Sequence, residues 1–191
     1  MIPKIIHQTW RSAPIPTHWR ACHQTWKTHH PDYMHVMHSD ADNECLVRTR
    51  YPRWLDLYRS LRYSVQRLDL IRYMYLHHSG GVYADMDLEC VRPLGALLDM
   101  QSGVLSLEPS VNAIGVPFLV ATYFLAFEKD SPFLLQVLET ILDQHPYPYT
   151  GHKVHDVLAS TGPLKLTECY RASVGDAPAL LDSDVFSRHP R

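Results

Sequence analysis

The sequence predicts an α/β domain built on a largely parallel central sheet, and three observations carry that expectation. Short apolar runs alternate with amphipathic helical patterns along the chain, the order expected of successive strand–helix units. Glycine and proline punctuate the boundaries between these segments and nowhere gather into a linker or a low-complexity tract. The 191 residues, 46% of them apolar, suffice for one sizeable core, so residues 1–191 are read as a single domain.

Residues 4–6 read as a buried first strand, with Pro3 at its start, where a missing donor is tolerated. Residues 19–29 form a helix that must stop before Pro31. Weak alternation over residues 33–37 suits a second strand. Asp40 is placed to cap a helix reaching Thr49, with Asp42 and Glu44 near its positive end. A further helical piece covers residues 54–61. Over residues 63–78, Val65, Leu68, Ile71, Tyr75 and Leu76 recur at near three-and-four spacing, and Gly80 supplies the stop. A short strand follows at once. Residues 93–100 then read as a short helix, and residues 103–107 and 123–127 as strands. Ser131-Pro132 opens an amphipathic helix through Gln144, with Pro132 at the first helical position. Pro146, Pro148 and Gly151 mark a surface loop, and helices over residues 154–160 and 164–170 flank Gly162-Pro163. The tail from Val174, rich in Asp, Pro and Ser, is expected to be loosely ordered.

Composition narrows the function classes. A net charge of -2 suits neither a nucleic-acid surface nor a clamp for acidic partners, so no nucleic acid is expected as a partner. No apolar run approaches the ~20 residues of a transmembrane segment. Met1 leads into a strand-like segment and not into a basic region with an apolar core, so a soluble, cytoplasmic placement is expected. Four widely separated cysteines form no Cys-x-x-Cys pair, which argues against structural zinc; their even count permits disulfides in three pairings among which the sequence does not choose, and reduced thiols are the default expectation. Thirteen histidines include His29-His30 and His77-His78, but adjacent helical residues point about 100° apart and do not easily share one ion.

The chemistry-bearing segment is Gly80-Gly81-Val82-Tyr83-Ala84-Asp85-Met86-Asp87. On a strand end, residues i and i+2 point to one side, so Asp85 and Asp87 can converge on one cation. Two hard oxygen ligands suit Mg²⁺ or Mn²⁺ shared with phosphates and water. A bare Asp-x-Asp suits a solvated turn as well. The preceding helix supplies context, because Asp69 and Arg72, three apart, share a face. Either they form a surface ion pair worth ~0.3 kcal/mol, or that face looks toward the carboxylates. Trp10 and Asp85 both fall just past a predicted strand, where such sheets bind ligands.

Taken together, Arg67-Leu68-Asp69-Leu70-Ile71-Arg72-Tyr73 and the Gly80–Asp87 segment resemble the sugar-binding DXD region of a glycosyltransferase family. That family includes fungal initiating α-mannosyltransferases, mannosyl-inositol-phosphorylceramide synthases and capsular polysaccharide transferases. Ile2-Pro3-Lys4-Ile5-Ile6-His7-Gln8-Thr9-Trp10 is similar to its first strand, and Ser160-Thr161-Gly162-Pro163-Leu164-Lys165-Leu166-Thr167 to its late Thr-Gly-Pro segment. The resemblance implies a GT-A type, Rossmann-like nucleotide-sugar-binding fold and a single glycosyltransferase catalytic domain over residues 1–191. It implies transfer of a hexose (mannose, glucose or galactose), with retention, from a UDP- or GDP-hexose donor to a glycan or glycolipid acceptor, with Mn²⁺ or Mg²⁺ as cofactor. It places Asp87 on the metal, with Asp85 joining directly or through water. It places Asp69, Arg72 and Asp85 on the donor sugar, and Trp10, Gln8 and Asp85 on the nucleotide. Trp10 equally suits a core position beside the first strand. No nucleophile is assigned.

Two departures from the family pattern stand out. Ser187, Arg188 and His189 stand where relatives carry a closing segment with a His and a Ser-Trp pair, so the metal shell is either left incomplete or completed by His189 or by another histidine such as His155. Thr122-Tyr123 stands where relatives often carry an Asn. Two other classes fit the same carboxylates: a metal-dependent nucleotide-sugar hydrolase or phosphodiesterase, and a nucleotide-sugar-binding protein without transferase activity.

Overall fold

The computed structural model describes residues 1–12, 14–109, 116–173, 177–182 and 187–188. The main sheet comprises β1 (Ile5–Thr9), β2 (Met34–His38), β3 (Gly81–Ala84), β5 (Gly103–Leu107), β6 (Val120–Phe127) and β7 (Ala179–Leu181), in the order β2-β1-β3-β6-β5-β7. β1 pairs in parallel with β2 and β3, and β5 in parallel with β7, while β6 runs antiparallel to both β3 and β5. The sheet is therefore parallel with one reversed strand, as the alternating pattern predicts in the main. A two-stranded ribbon pairs β4 (Leu88–Glu89) with β8 (Ser187–Arg188).

Helices cover both faces. On one side lie α2 (Asp40–Arg50), α3 (Leu55–Ser60), α4 (Ser64–Ser79), α6 (Pro132–Asp143) and α8 (Pro163–Ala172), whose apolar faces join Tyr83, Leu105, Leu125 and Phe127 of the sheet in one core. On the other, α1 (Thr17–His29) and α5 (Gly95–Leu98) close a second core around Ile6, Val82, Val104, Phe124 and Ala126. Alternation along each strand feeds the two cores separately. α7 (Lys153–Ser160) packs on α4 and α8. Trp26 of α1 anchors the second side: its indole N–H donates to the Leu88 carbonyl at 2.8 Å, and its ring stacks toward Phe124 at 6.4 Å.

Several expectations are corrected. Ser39, not Asp40, caps α2: its hydroxyl accepts from the Asp42 amide while the Asp42 carboxylate accepts from the Ser39 amide, a reciprocal box that satisfies two helix-end donors. β6 begins at Val120, earlier than its sequence pattern suggests, because Val120 already pairs with Leu107 of β5 and Val120, Ala121 and Thr122 are buried. The tail is not wholly loose, since Ala179–Leu181 extends the sheet edge beside β5 and Ser187–Arg188 pairs with β4. All four cysteines are free, as expected.

The Gly80-Gly81 pair is dictated by a close crossing. Gly81 has φ +104, and a Cβ there would lie 2.6 Å from the Ile5 carbonyl oxygen. Only glycine lets β3 enter the sheet against β1 at that point. Gly80, at the end of α4, also accepts a hydrogen bond from buried His7 Nε2 at 3.0 Å. Because that nitrogen must carry the proton, His7 Nδ1 accepts from His38 Nε2 at 2.9 Å, and both imidazoles stack with Tyr75. Burial holds each ring neutral, pushing both down to about 4 from an ordinary 6.5.

A lowered histidine pKa contributes stability that is present above pH 6.5 and lost as pH falls toward 4. Acidification through that window is expected to remove several kcal/mol, on the order of 3 per imidazole. Urea midpoints at pH 7, 5.5 and 4.5 check this, and a His38→Gln variant is expected to show a shallower fall. An unchanged slope in that variant would count against the pair.

Candidate active site

The carboxyl ends of β1 and β3 and the buried face of α4 meet at a cleft of about 360 Å³. This is a ligand-sized concavity at the edge where α/β sheets hold their ligands. Asp69, Arg72, Asp85, Asp87, Trp10, Thr122 and Tyr123 all line it. The Asp69–Arg72 pair is therefore not on the surface, since Asp69 is 3% and Arg72 4% exposed.

Arg72 is the hub. Its Nη2 lies 3.3 Å from Asp69 Oδ1 and 3.6 Å from Asp85 Oδ1. Its Nη1 donates to the Thr122 carbonyl, its Nε to the Leu68 carbonyl at 3.1 Å, and its guanidinium lies 4.9 Å from the centre of the Tyr83 ring. Burial opposes the guanidinium charge, but Asp85, Tyr83 and Asp69 together outweigh it and hold Arg72 firmly protonated. Asp69 fares differently. Burial, and the Asp85 charge in addition, push its carboxyl up to about 6, although Arg72, Thr161 and Thr122 draw it down. One buried cation is shared between two carboxylates and does not fully offset the burial of Asp69.

The late Thr-Gly-Pro segment belongs to this site. The Thr161 hydroxyl donates to Asp69 Oδ2 at 3.2 Å, and a Cβ on Gly162 would lie 3.3 Å from the same oxygen and 3.0 Å from the Val157 carbonyl. Gly162 lets the junction of α7 and α8 close on Asp69. Tyr73 Oη donates to the Thr161 carbonyl at 2.9 Å, fixing that junction to α4.

Asp85 and Asp87 reach the cleft by a route other than strand alternation. β3 ends at Ala84, and the Asp85 amide still donates to Tyr123 at 2.9 Å. The chain then turns, with the Leu88 amide donating to the Asp85 carbonyl at 3.1 Å, so Asp85-Met86-Asp87 is a turn that brings both carboxylates to one cleft. Asp85 also accepts from Tyr83 Oη at 3.3 Å, and Tyr83 in turn meets Thr9 Oγ1 at 2.9 Å.

Trp10 sits at the cleft mouth, edge-on to Trp19 with ring centres 4.6 Å apart and under the Arg11 guanidinium at 5.1 Å. Trp10, Thr9, Ser64 and Leu68 are shared with an adjoining cavity of about 610 Å³. Gln8 is not brought to either cavity. Alternation along β1 sends it to the opposite face from Thr9, where it is 1% exposed and its Oε1 accepts from His23 Nδ1 at 2.6 Å. His189 lies outside the described residues, and His155, on α7 beside Asp156, does not line the cleft. Sequence reasoning missed Glu108, which follows β5 and lines the cleft. The carboxyl-end rule that flagged Asp85 could have found it.

The donor set fits a divalent cation. Among the described lining residues there are four carboxyl groups, Asp69, Asp85, Asp87 and Glu108, and one guanidinium. Asp85 and Asp87 are hard oxygen donors that leave the rest of a Mg²⁺ or Mn²⁺ shell to phosphate and water. No cluster of three or more His, Cys, Asp or Glu able to cage an ion by itself occurs among the described residues.

Comparisons with known proteins agree with this geometry. Residues 16–104 match the family model described as glycosyltransferase sugar-binding region containing DXD motif. Inositol phosphoceramide mannosyltransferase 3 of Schizosaccharomyces pombe is 35% identical over 174 residues, which is 90% of this chain and 45% of that protein. Mannosyl phosphorylinositol ceramide synthase SUR1 of Saccharomyces cerevisiae is 32% identical over 171 residues, 90% of this chain and 42% of that protein. The chain thus spans about half the length of the curated relatives it matches. In fold it is similar to the PaToxG glycosyltransferase, with a TM-score of 0.65 at 17% identity over 90% of this chain and 69% of that one. It is also similar to the UDP-bound glycosyltransferase domain of the YGT toxin, with a TM-score of 0.56 at 10% identity, covering 97% and 80%. Family model, curated relatives and a GT-A type fold point the same way: over residues 16–104 the chain is similar to the sugar-binding region of the DXD-containing glycosyltransferases.

Proposed function

We propose that this chain is the catalytic domain of a metal-dependent glycosyltransferase. In this reading it moves a hexose, mannose by likeness to the named relatives, from a nucleotide-sugar to a lipid or glycan acceptor with retention. The observation that carries the proposal is the charge of the cleft: four carboxyl groups against one guanidinium, at the carboxyl edge of a nucleotide-sugar-type sheet. Such a cleft repels a bare diphosphate and accepts one that arrives with a divalent cation. The relatives are named for transfer of mannose to inositol phosphoceramide, which supports a phosphate-bearing glycolipid as acceptor.

Asp87 and Asp85 would hold the cation, which supplies Lewis-acid neutralisation of the diphosphate as the glycosidic bond breaks. Asp69 and Arg72 present an acceptor and a donor side by side to sugar hydroxyls, and their burial fixes both in one geometry. Arg72 at the same time orients Asp85, so the sugar contact and the diphosphate contact are set by one side chain. Trp10 offers an aromatic face to the base at the mouth, with Trp19 bracing it edge-on. Tyr83 and Thr9 lock the Asp85 side chain from below.

Asp87→Ala is expected to lower Mn²⁺-dependent turnover at least roughly 100-fold, about 2.7 kcal/mol of barrier, while thermal stability without ligand changes little. Turnover of nucleotide-sugar followed with and without acceptor checks this, and also separates transfer from hydrolysis. Unchanged metal dependence would remove Asp87 from the site.

Asp69 tests the sugar contact. Asp69→Asn is expected to weaken an intact nucleotide-sugar by roughly 10-fold, the ~1.4 kcal/mol of one charge-assisted hydrogen bond, and to leave the free nucleoside diphosphate nearly unaffected. Calorimetric titration of both ligands decides between a sugar role and a diphosphate role. The same variant has a stability signature. A carboxyl raised from 3.8 to about 6 favours folding below pH 3.8, and that contribution is lost as pH rises through 6. The Asn variant lacks that loss, so relative to the parent it is expected to gain on the order of 3 kcal/mol between pH 4 and pH 7 in urea unfolding.

A further inference from the structure

At the outer end of α4, two exposed cations converge on one aromatic ring. The Arg62 guanidinium lies 5.6 Å from the centre of Tyr63, and Lys153 Nζ, arriving from α7, lies 5.7 Å from the same centre. Arg62 also lies 5.8 Å from the centre of Tyr149, which meets Tyr63 edge-on at 6.1 Å. Among the described residues neither cation forms an ion pair. The nearby acid is turned away: Asp156 is fully buried and accepts from the Thr150 amide, the Thr150 hydroxyl and the Gly151 amide. The loop thus spends its carboxylate inward and leaves its lysine facing out.

The rest of the patch is apolar and aromatic. Val154, next to Lys153, is 62% exposed, and Val65, in the first turn of α4, is 36% exposed while also lining the cleft. The cations are not mobile whiskers, because their platform is braced. The Arg62 amide donates to Tyr149 Oη at 3.1 Å, and that hydroxyl donates to Gln66 Oε1 at 3.2 Å. Gln66 Nε2 donates to Ser160 Oγ at 2.6 Å, next to the Thr161 that holds Asp69.

We propose that Arg62, Lys153, Tyr63, Tyr149, Val154 and Val65 form a docking surface for an anionic lipid bilayer that seats the cleft mouth against the membrane presenting the acceptor. The inference rests on the glycosyltransferase reading above for its acceptor, but the surface itself stands on its own residues. Unpaired cations attract anionic headgroups, tyrosines favour the headgroup zone, and exposed valines favour the acyl boundary. Charge complementarity selects the occupant: this face offers two cations over aromatic rings, neither of them ion-paired among the described residues, and the Asp156 beside them is buried.

The test is co-sedimentation with phosphatidylcholine vesicles with and without 30% phosphatidylinositol, a composition chosen on the order of natural anionic membranes. The parent chain is expected to bind the anionic vesicles selectively and to release at high salt. Arg62→Gln with Lys153→Gln is expected to bind roughly 25-fold more weakly, about fivefold for each cation removed. Lys129→Gln, at the far end of α4 beside Asp130, is expected to bind like the parent. Stabilisation by nucleotide-sugar with Mn²⁺, followed by thermal shift, is expected to be the same in the double variant and the parent, since neither residue lines the cleft. Equal binding by the double variant, equal binding of the parent to neutral vesicles, or no binding by the parent would overturn the docking surface. Displacement of the parent from vesicles by millimolar soluble inositol phosphate would also overturn it, by assigning the cations to a single headgroup. Failure of the parent to respond to any nucleotide-sugar would sink the glycosyltransferase reading instead, and would leave the vesicle result standing as a separate finding.

Discussion

The buried guanidinium of Arg72 is the constraint on which the site depends. Placing an ion at 4% exposure costs several kcal/mol unless its donors and charge are met. Here they are met from four directions: Asp69 on its own helix, Asp85 on the turn after β3, the Thr122 carbonyl on β6 and the Tyr83 ring on β3. Each of these contacts ties a different element to the same point. Asp69 extends the tie to the α7–α8 junction through Thr161. An apolar side chain of similar volume could hold the elements together with less desolvation, but it could not orient Asp85 or offer a donor beside Asp69. Truncating Arg72 would leave two carboxylates facing a vacated cation, so its removal is a fold problem as well as a ligand problem.

The reversed strand makes this convergence possible. Were β6 parallel to its neighbours, its first residues would lie at the opposite edge of the sheet from the end of β3. Running antiparallel, it brings Thr122 and Tyr123 alongside Ala84 and Asp85. The same reversal places β5 parallel to β3 again, so that Glu108, just past its end, reaches the same edge. Three strand ends and one strand beginning thus supply the floor of one cleft. The glycine pair at residues 80–81 is the geometric counterpart, because the crossing of β3 under Ile5 sets how far β3 extends before Asp85.

Much of this was legible in the sequence because it is local. Spacing of three on a helix and of two in Asp85-Met86-Asp87 is readable without knowing the fold, and both pairs face one cleft. Helices and most strands followed from apolar period and from Gly80, Pro31 and Pro132. What stayed hidden is non-local. No spacing says that Thr161 closes on Asp69 across 92 residues, or that Thr122 presents its carbonyl to Arg72 across 50. Nor does it say that β6 is reversed, since a buried apolar run carries no direction. Gln8 shows the opposite error, where a residue beside Thr9 and Trp10 in sequence is carried to the far face by strand alternation. Asp85 and Asp87 were given the right neighbours for a wrong local reason, because the turn after Ala84 and not the pleat makes them converge. The sequence also could not distinguish a surface Asp69–Arg72 pair from a buried one. That difference alone separates a few tenths of a kcal/mol from a carboxyl held near 6.

α4 couples these levels because it is one uninterrupted helix with different tasks along its length. Its last turn packs under Gly80 and the His7–His38 pair, its middle carries Asp69 and Arg72, and its first turn opens the mouth through Ser64 and Val65. At about 1.5 Å of rise per residue, Val65 stands roughly 10 Å nearer the mouth than Arg72. A group bound at the first turn is therefore set at a fixed depth from Asp69 and Arg72. The Gln66 side chain, 0% exposed, joins that first turn to Tyr149 and Ser160, so the rim and the α7–α8 junction are held to the same rod. In the proposed reading, a surface at the outer end of α4 would thus set the position at which an acceptor meets the donor through one rigid helix.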